Sequence, residues 1–371
     1  MSIDLVELIR NHTYREVSDQ TGLSFGAIHR RLDKTGYYTD KRAERQRRIL
    51  EAVTNKVVTG DVLDFIENLP EQSIQLVCTS PPYNIGKRYG DDRATDAMHP
   101  LRFFGWLCEI VAEIERILAP GGVVAFVVGA TRDRNGTLMP MDWLLKSAFE
   151  QTGLTYQNRI AWIGDHGLQP KTRLAERYET IVIYSKGAPV FNPNSCRTPQ
   201  KHIDKRAYKG PRKGQLTSHA LGAWPTDVWA GDLRHLRHNA GEKTAHPCQF
   251  PVALAKRLIM LYSLPGQLCA DIFRGSGSTH VAAIECGRNF IGCDLHYADL
   301  AEERATAAQP DTITPFSGVT PDSVDFWARE LSGDPTKARA TRVDGTAIPI
   351  DDATDRALVL ELFPELSVDA A

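Results

Sequence analysis

Two short segments carry residue types that could do chemistry. The first is Thr79-Ser80-Pro81-Pro82-Tyr83-Asn84. Its prolines remove two backbone donors and restrict the loop, while their carbonyls remain as acceptors. Ser80 adds another acceptor and Tyr83 a flat ring. Together they suit an exocyclic amine on an aromatic base: acceptors hold its protons, its lone pair is aimed at an electrophile, and the tyrosine stacks on the ring. Taken alone, the same residues also fit a rigid turn with no ligand. The second segment is Asp271-Ile-Phe-Arg-Gly275-Ser276-Gly277-Ser-Thr279, with Asp294 seventeen residues beyond Gly277. Glycines here allow a sharp turn and close approach of a ligand to a helix start, and a distant acid can accept hydrogen bonds from ribose hydroxyls. The segment reads as one half of a nucleoside site. Its G-x-G spacing gives little support for a pyrophosphate cradle, and no GxxxxGK[ST] string is present.

The surrounding elements place both segments at strand ends. Ile74–Thr79 is an apolar strand running straight into Ser80, and Leu268–Ile272 is a strand running into the glycine turn. Further strands are expected at 57–59, 123–128, 160–163, 180–184 and 289–293. Amphipathic helices are expected at 102–118, 250–262 and 278–286. Strands alternating with helices predict an α/β domain with a mostly parallel sheet. Residues 187–245 break the pattern with Pro, Gly and basic residues and read as an inserted, loop-rich module.

The chain has 371 residues and a formal net charge of −2. That total hides a division. Residues 27–48 hold eight Lys or Arg against three acids, 197–243 hold ten against four, and 310–371 hold five against twelve. Two basic segments and an acidic tail cancel, so the small net charge does not exclude nucleic acid. Residues 12–36 resemble a helix-turn-helix: a short helix from Tyr14, a turn at Gly22-Leu23, and a second helix capped by Ser24. That second helix carries Ala27, Ile28 and Leu32 on one face and Arg30, Arg31 and Lys34 elsewhere. Residues 40–56 read as a charged linking helix. The longest clean apolar run, Val123–Val128, is far too short to span a membrane. The amino terminus lacks a signal-peptide pattern, and none of the seven cysteines forms a CxxC pair, so the expectation is a cytoplasmic protein with no metal site.

TSPPYN followed by DIFRGSGST resembles the S-adenosylmethionine-dependent DNA amino-methyltransferases, which methylate N4 of cytosine or N6 of adenine. With the catalytic loop before the cofactor loop, the order is similar to the family's permuted beta group. The resemblance extends over roughly residues 56–305. It implies a permuted Rossmann-like fold, with a small helical domain at 1–45, a catalytic domain at 46–310 carrying a target-recognition insertion at 190–245, and an acidic extension at 311–371.

The resemblance also implies roles. Ser80, Pro81, Pro82 and Tyr83 would be catalytic. Asp61, His246, Phe273, Gly275, Ser276, Gly277, Thr279 and Asp294 would hold S-adenosylmethionine. Arg30, Arg31, Lys34, Lys201, Lys205, Arg206, Tyr208, Arg212 and Lys213 would meet double-stranded DNA, with Arg159, Arg173 and Arg177 adding to that surface. The alternative reading of the basic insertion is a loop that stabilises a homodimer interface. The resemblance leaves room for a cognate restriction endonuclease as a partner. Pro247-Cys248-Gln249 spells the nucleophile string of the cytosine-C5 enzymes, but here it precedes the cofactor motif, so Cys248 is expected to be non-catalytic. Departures from the family pattern are mild: Ile272 and Arg274 flank Phe273, and Ser278-Thr279 replaces Thr-Thr. Ser80 is typical of N4-cytosine members, with N6-adenine as the alternative. A catalytically inactive DNA-binding regulator and a protein or RNA amino-methyltransferase are the competing readings.

Overall fold

The computed structural model describes residues 7–9, 14–21, 28, 31–32 and 37–310, with gaps at 91–95, 133–136, 165–170, 172–173, 199–201, 203–204, 218–222, 231–232, 234 and 237–239, and three short strands beyond residue 338. Helices α1 (Tyr14–Thr21) and α2 (Tyr37–Val53) come first. Val17, Ile28 and Leu32 are buried, and Arg31 is exposed. Arg30, Lys34 and the turn at 22–27 lie outside the described residues. The side chain of Gln46 on α2 is buried and donates to Glu67 O (3.1 Å), which ties this charged helix to the next domain.

The domain then runs β1 (Val58–Thr59), α3 (Val62–Glu67), β2 (Ile74–Thr79), α4 (Pro100–Ile117), β3 (Leu118–Val128), the hairpin β4 (Ala130–Arg132) and β5 (Leu138–Pro140), and α5 (Met141–Phe149). It continues with β6 (Thr155–Ile163), β7 (Tyr178–Ser185), β8 (Val228–Trp229), α6 (Val252–Tyr262), β9 (Leu268–Asp271), α7 (Ser278–Glu285), β10 (Asn289–Asp294) and α8 (Ala298–Ala307). Eight strands form one sheet in the order β1-β10-β9-β2-β3-β7-β6-β8. The β1-β10-β9-β2-β3 run is parallel, and β7 pairs antiparallel with both β3 and β6.

Burial on both faces explains the unbroken apolar strands. On β3, Val124, Phe126 and Val128 point to a core shared with α3, α4 and α5, while Val123, Ala125 and Val127 point to one shared with α6 and α7. Such two-sided cover is what parallel sheets require. The sequence pattern carries helix α4 to residue 118 and a stop at Pro120. In the structure the strand begins at Leu118, and Ala119-Pro120-Gly121-Gly122 form a bulge within it, where the register against β2 shifts between Ile74 and Leu76. Gly121 has φ +77, a conformation glycine adopts without a Cβ clash.

The loop-rich module returns to the sheet at its end. Trp229 on β8 is buried, its indole N–H donates to Thr226 O (2.8 Å), and the indole of Trp162 on β6 donates to Leu233 O. Residues 205–217 form a small two-stranded excursion, with Arg206 bridged to Leu216 and Thr217 N donating to Lys205 O (2.8 Å). Beyond residue 338, where the sequence shows only weak patterning, β11 (Arg339–Thr341) pairs antiparallel with both β12 (Ala347–Pro349) and β13 (Ser367–Asp369).

Candidate active site

Ser80 and Gly275 are far apart in sequence, yet β2 and β9 are neighbours in the sheet, so both loops leave the same edge. The chain proceeds from β2 toward β3 on one side and from β9 toward β10 on the other. Their carboxyl ends therefore flank a topological switch point, the usual ligand crevice of an open α/β sheet.

One buried carboxylate joins the two loops. Asp271, at the end of β9, accepts from Thr79 Oγ1 (2.6 Å), Thr279 Oγ1 (2.7 Å) and Phe273 N (3.2 Å). Thr79 Oγ1 accepts from Phe273 N as well (3.1 Å), and Thr279 Oγ1 also approaches Cys78 O (3.3 Å). Burial pushes the Asp271 carboxyl up to about 6, against the opposing pull of its donors. Thr279, expected to contact a cofactor, is instead fully buried against Asp271 and does not line the cavity. Gly277 does not line it either: with φ +76 it opens α7 and packs under Ala301.

The cavity between the loops encloses, with its mouth, about 1120 Å³ of empty space. Asp61, Ser80, Pro81, Pro82, Tyr83, His246, Phe273, Gly275, Ser276 and Asp294 all line it. Asp61 caps α3, its Oδ1 accepting from Leu63 N (2.8 Å). Asp294 at the end of β10 accepts from Gly275 N (2.9 Å) and His296 N (2.9 Å). A Cβ on Gly275 would stand 2.7 Å from His246 Nε2, so only glycine fits beside that ring. His246 Nδ1 accepts from Cys248 N (3.3 Å). Burial, with Lys243 and Lys87 nearby, pushes the imidazole down to about 4, so it is neutral at physiological pH.

Arg274, the bulky departure beside Phe273, is buried. Its guanidinium donates to His296 O (3.2 Å), Tyr297 O (3.1 Å) and Gly275 O (3.3 Å), which fixes the segment after β10. Arg304 on α8 braces the glycine turn from the other side through Ser276 O (2.7 Å) and Ser276 Oγ (3.1 Å). Neither bracing role is visible in the sequence pattern.

On the other loop, Tyr83 OH donates to Glu179 Oε2 (3.2 Å) and lies 3.5 Å from Ser80 Oγ. No motif in the sequence singles out Glu179 on β7. Its carboxyl is pushed up by burial, with the Tyr83 hydrogen bond and Lys87 pulling the other way. A Cβ on Gly129 would stand 3.2 Å from the Tyr83 ring, so that glycine makes room for it. Cys248 also reaches the cavity, exposed at its lining, with Sγ 3.7 Å from Tyr89 OH.

Of the expected DNA contacts, Lys205, Arg206, Tyr208, Arg212 and Lys213 sit exposed on the 205–217 excursion, and Arg206 Nη1 donates to Gly214 O (3.1 Å). Lys201 and Arg173 lie outside the described residues. Arg159 does not offer a free charge: it pairs with the buried Asp142 at 2.6 Å. Among the described residues no His, Cys, Asp or Glu cluster could hold a metal, and no helix is long and apolar enough to cross a membrane.

A Rossmann-like sheet with these two loops at its switch point defines a methyltransferase fold. The sequence profile of the N6/N4 DNA methylases matches residues 74–303, and the chain belongs to that family. It is similar to the Type II methyltransferase M.BglII of Bacillus subtilis, 35% identical over 265 residues covering 71% of each chain. It is also similar to the DNA adenine methyltransferase YhdJ of Escherichia coli K12, 32% identical over 244 residues covering 65% of this chain and 78% of that one. The solved PvuII DNA methyltransferase (cytosine-N4-specific) shares the fold at TM-score 0.53 and 20% identity, covering 75% of this chain and 93% of that one.

Proposed function

We propose that this chain is a site-specific DNA methyltransferase that moves a methyl group from S-adenosylmethionine to the exocyclic amine of a base turned out of the duplex, with cytosine N4 as the target. The observation that carries this reading is the juncture at Asp271, which places the Ser80 loop and the Gly275 turn on one cavity.

The residues present fit the cofactor. Gly275 lets the turn lie close against the His246 ring, and Asp61 and Asp294 line the same cavity as acceptors for the hydroxyls of a nucleoside. Phe273 and Trp106, with ring centroids 5.6 Å apart, give an apolar wall. When bound, S-adenosylmethionine supplies an electrophilic methyl on a positively charged sulfur. The protein's part is then positioning and electrostatics. Ser80 Oγ and the Pro81 carbonyl accept the two amine protons and aim the nitrogen lone pair. Tyr83, held by Glu179, gives the base a stacking surface. Ser80 is a poor base, so the surplus proton leaves toward solvent as transfer proceeds. Cys248 has no part, because the amine itself is the nucleophile.

The basic excursion at 205–217 suits phosphate contact, which falls steeply with salt. The helical segment at 1–45 adds a second DNA contact through Arg30, Arg31 and Lys34, and the insertion at 190–245 reads the target. The domain boundaries, a partner endonuclease suggested by the Type II relatives, and the cytoplasmic setting belong to the same proposal.

The choice of cytosine rests on Ser80. The second reading is N6-adenine, which the similarity to a named DNA adenine methyltransferase favours. Nucleoside mass spectrometry on DNA from cells expressing the protein decides: N4-methylcytosine is expected, N6-methyladenine alone would move the target to adenine, and neither base would favour an inactive DNA-binding protein.

A further inference from the structure

Asp96 lines the same cavity, beside Tyr89, Met98 and Trp106, and is only 4% exposed. Its Oδ2 has no hydrogen-bond partner among the described residues. A buried carboxylate oxygen left without a donor is costly, and native structures rarely leave one without reason. The surrounding loop is built to hold it there. The amide side chain of Asn84 clasps Met98, donating to its O (3.0 Å) and accepting from its N (2.6 Å). Backbone N–H groups of Asn84, Ile85 and Lys87 turn toward the Asp96 carboxylate, and Gly86 N donates to Asp96 O. Burial raises the Asp96 carboxyl above its ordinary range, with the backbone N–H groups and the charge of Lys87 pulling the other way.

The rest of the cavity says what is missing. Asp61 and Asp294 each accept from backbone donors. The terminal nitrogens of Arg274 are taken by the carbonyls of 275, 296 and 297, with its buried Nε left unpartnered, and His246 is neutral. Lys87 acts on Asp96 through its charge but forms no ion pair with it among the described residues. Of the buried carboxylate oxygens that line the cavity, Asp96 Oδ2 is the one left without a donor among the described residues. A base amine is a poor match: it is neutral, and its protons are already directed to Ser80 and the Pro81 carbonyl. A primary ammonium brings both a proton and a full charge, which makes the stronger bond.

We infer that Asp96 anchors the ammonium on the amino-acid end of the cofactor. The inference rests on the proposed function. The test is calorimetric binding to the full chain of S-adenosylhomocysteine, of its analogue lacking the α-amino group, and of methylthioadenosine, which lacks the amino-acid end altogether. The unaltered protein should prefer the amine-bearing ligand by roughly tenfold to a hundredfold. Asp96→Asn should bring the two within about threefold, a loss of that same contact, while methylthioadenosine binds as before. Asp96→Glu, which keeps the charge, should retain part of the preference, and it serves as the deciding variant if Asp96→Asn no longer binds methylthioadenosine. Equal binding of both amino-acid ligands by the unaltered protein, or a preference that survives Asp96→Asn, overturns the role of Asp96 and leaves the methyltransferase reading intact. Failure of the unaltered protein to bind any of the three overturns both.

Discussion

The glycine turn after β9 is held by side chains: Asp271, Arg274, Arg304, Thr79 and Thr279 together engage its backbone or its flanking strands. The proline turn after β2 adds to its own backbone restriction ties at its far end: Tyr83 OH reaches Glu179 Oε2 and Val127 O, and the Asn84 amide clasps Met98. The difference matches what each loop would receive. A small, constant cofactor rewards a cradle fixed in advance, because a preorganised site spends little on ordering when it binds. A base swung out of a duplex arrives with its sugar and phosphates attached, and the loop that meets it is fixed at its ends, by Thr79 on Asp271 and by Asn84 on Met98, which leaves Ser80 and Pro81 lining the cavity.

Asp271→Ala should break the comparison altogether. It leaves the buried Thr79 hydroxyl proton without its acceptor and takes one of two partners from Thr279 Oγ1 and Phe273 N, costing roughly 2 kcal/mol or more by denaturant unfolding, with loss of both cofactor binding and methylation. Ser80→Ala should separate the loops. Methyl transfer falls by about a hundredfold or more while calorimetric affinity for S-adenosylhomocysteine is kept. Glu179→Ala should act through Tyr83, lowering turnover about tenfold with cofactor affinity unchanged, and Glu179→Gln, which still accepts from the phenol, should recover part of it. Cys248→Ala should change methylation by no more than about twofold, since its exposed thiol supports neither loop. A loss as large as that of Ser80→Ala would mean that the thiol reacts.

Much of this site is legible in the amino-acid sequence. Strands β2, β9 and β10 announce themselves because burial on both faces demands continuous apolar runs, and the loops follow directly from their ends. The parts that are not legible depend on contacts between distant segments. Glu179 looks like an ordinary acid in a strand until β7 is laid beside Tyr83. Arg274 looks like a mild departure from the family pattern until the carbonyls of 296 and 297 are seen around it. The motif around Thr279 points its hydroxyl at a ligand, yet Asp271 takes that hydroxyl. The two-residue strand β8 and the three strands of the acidic extension are too short to show a period.

The Thr79–Asp271 bond spans 192 residues of chain. Non-local pairings of this kind are slow to form, since a long loop must close before the contact rewards it. During synthesis the catalytic loop leaves the ribosome well ahead of its partner, and strand β2 waits with one edge bare until β9 arrives. Competence for chemistry therefore comes late and all at once, and a chain cut short before residue 271 would expose a sticky strand edge rather than a partly working catalyst.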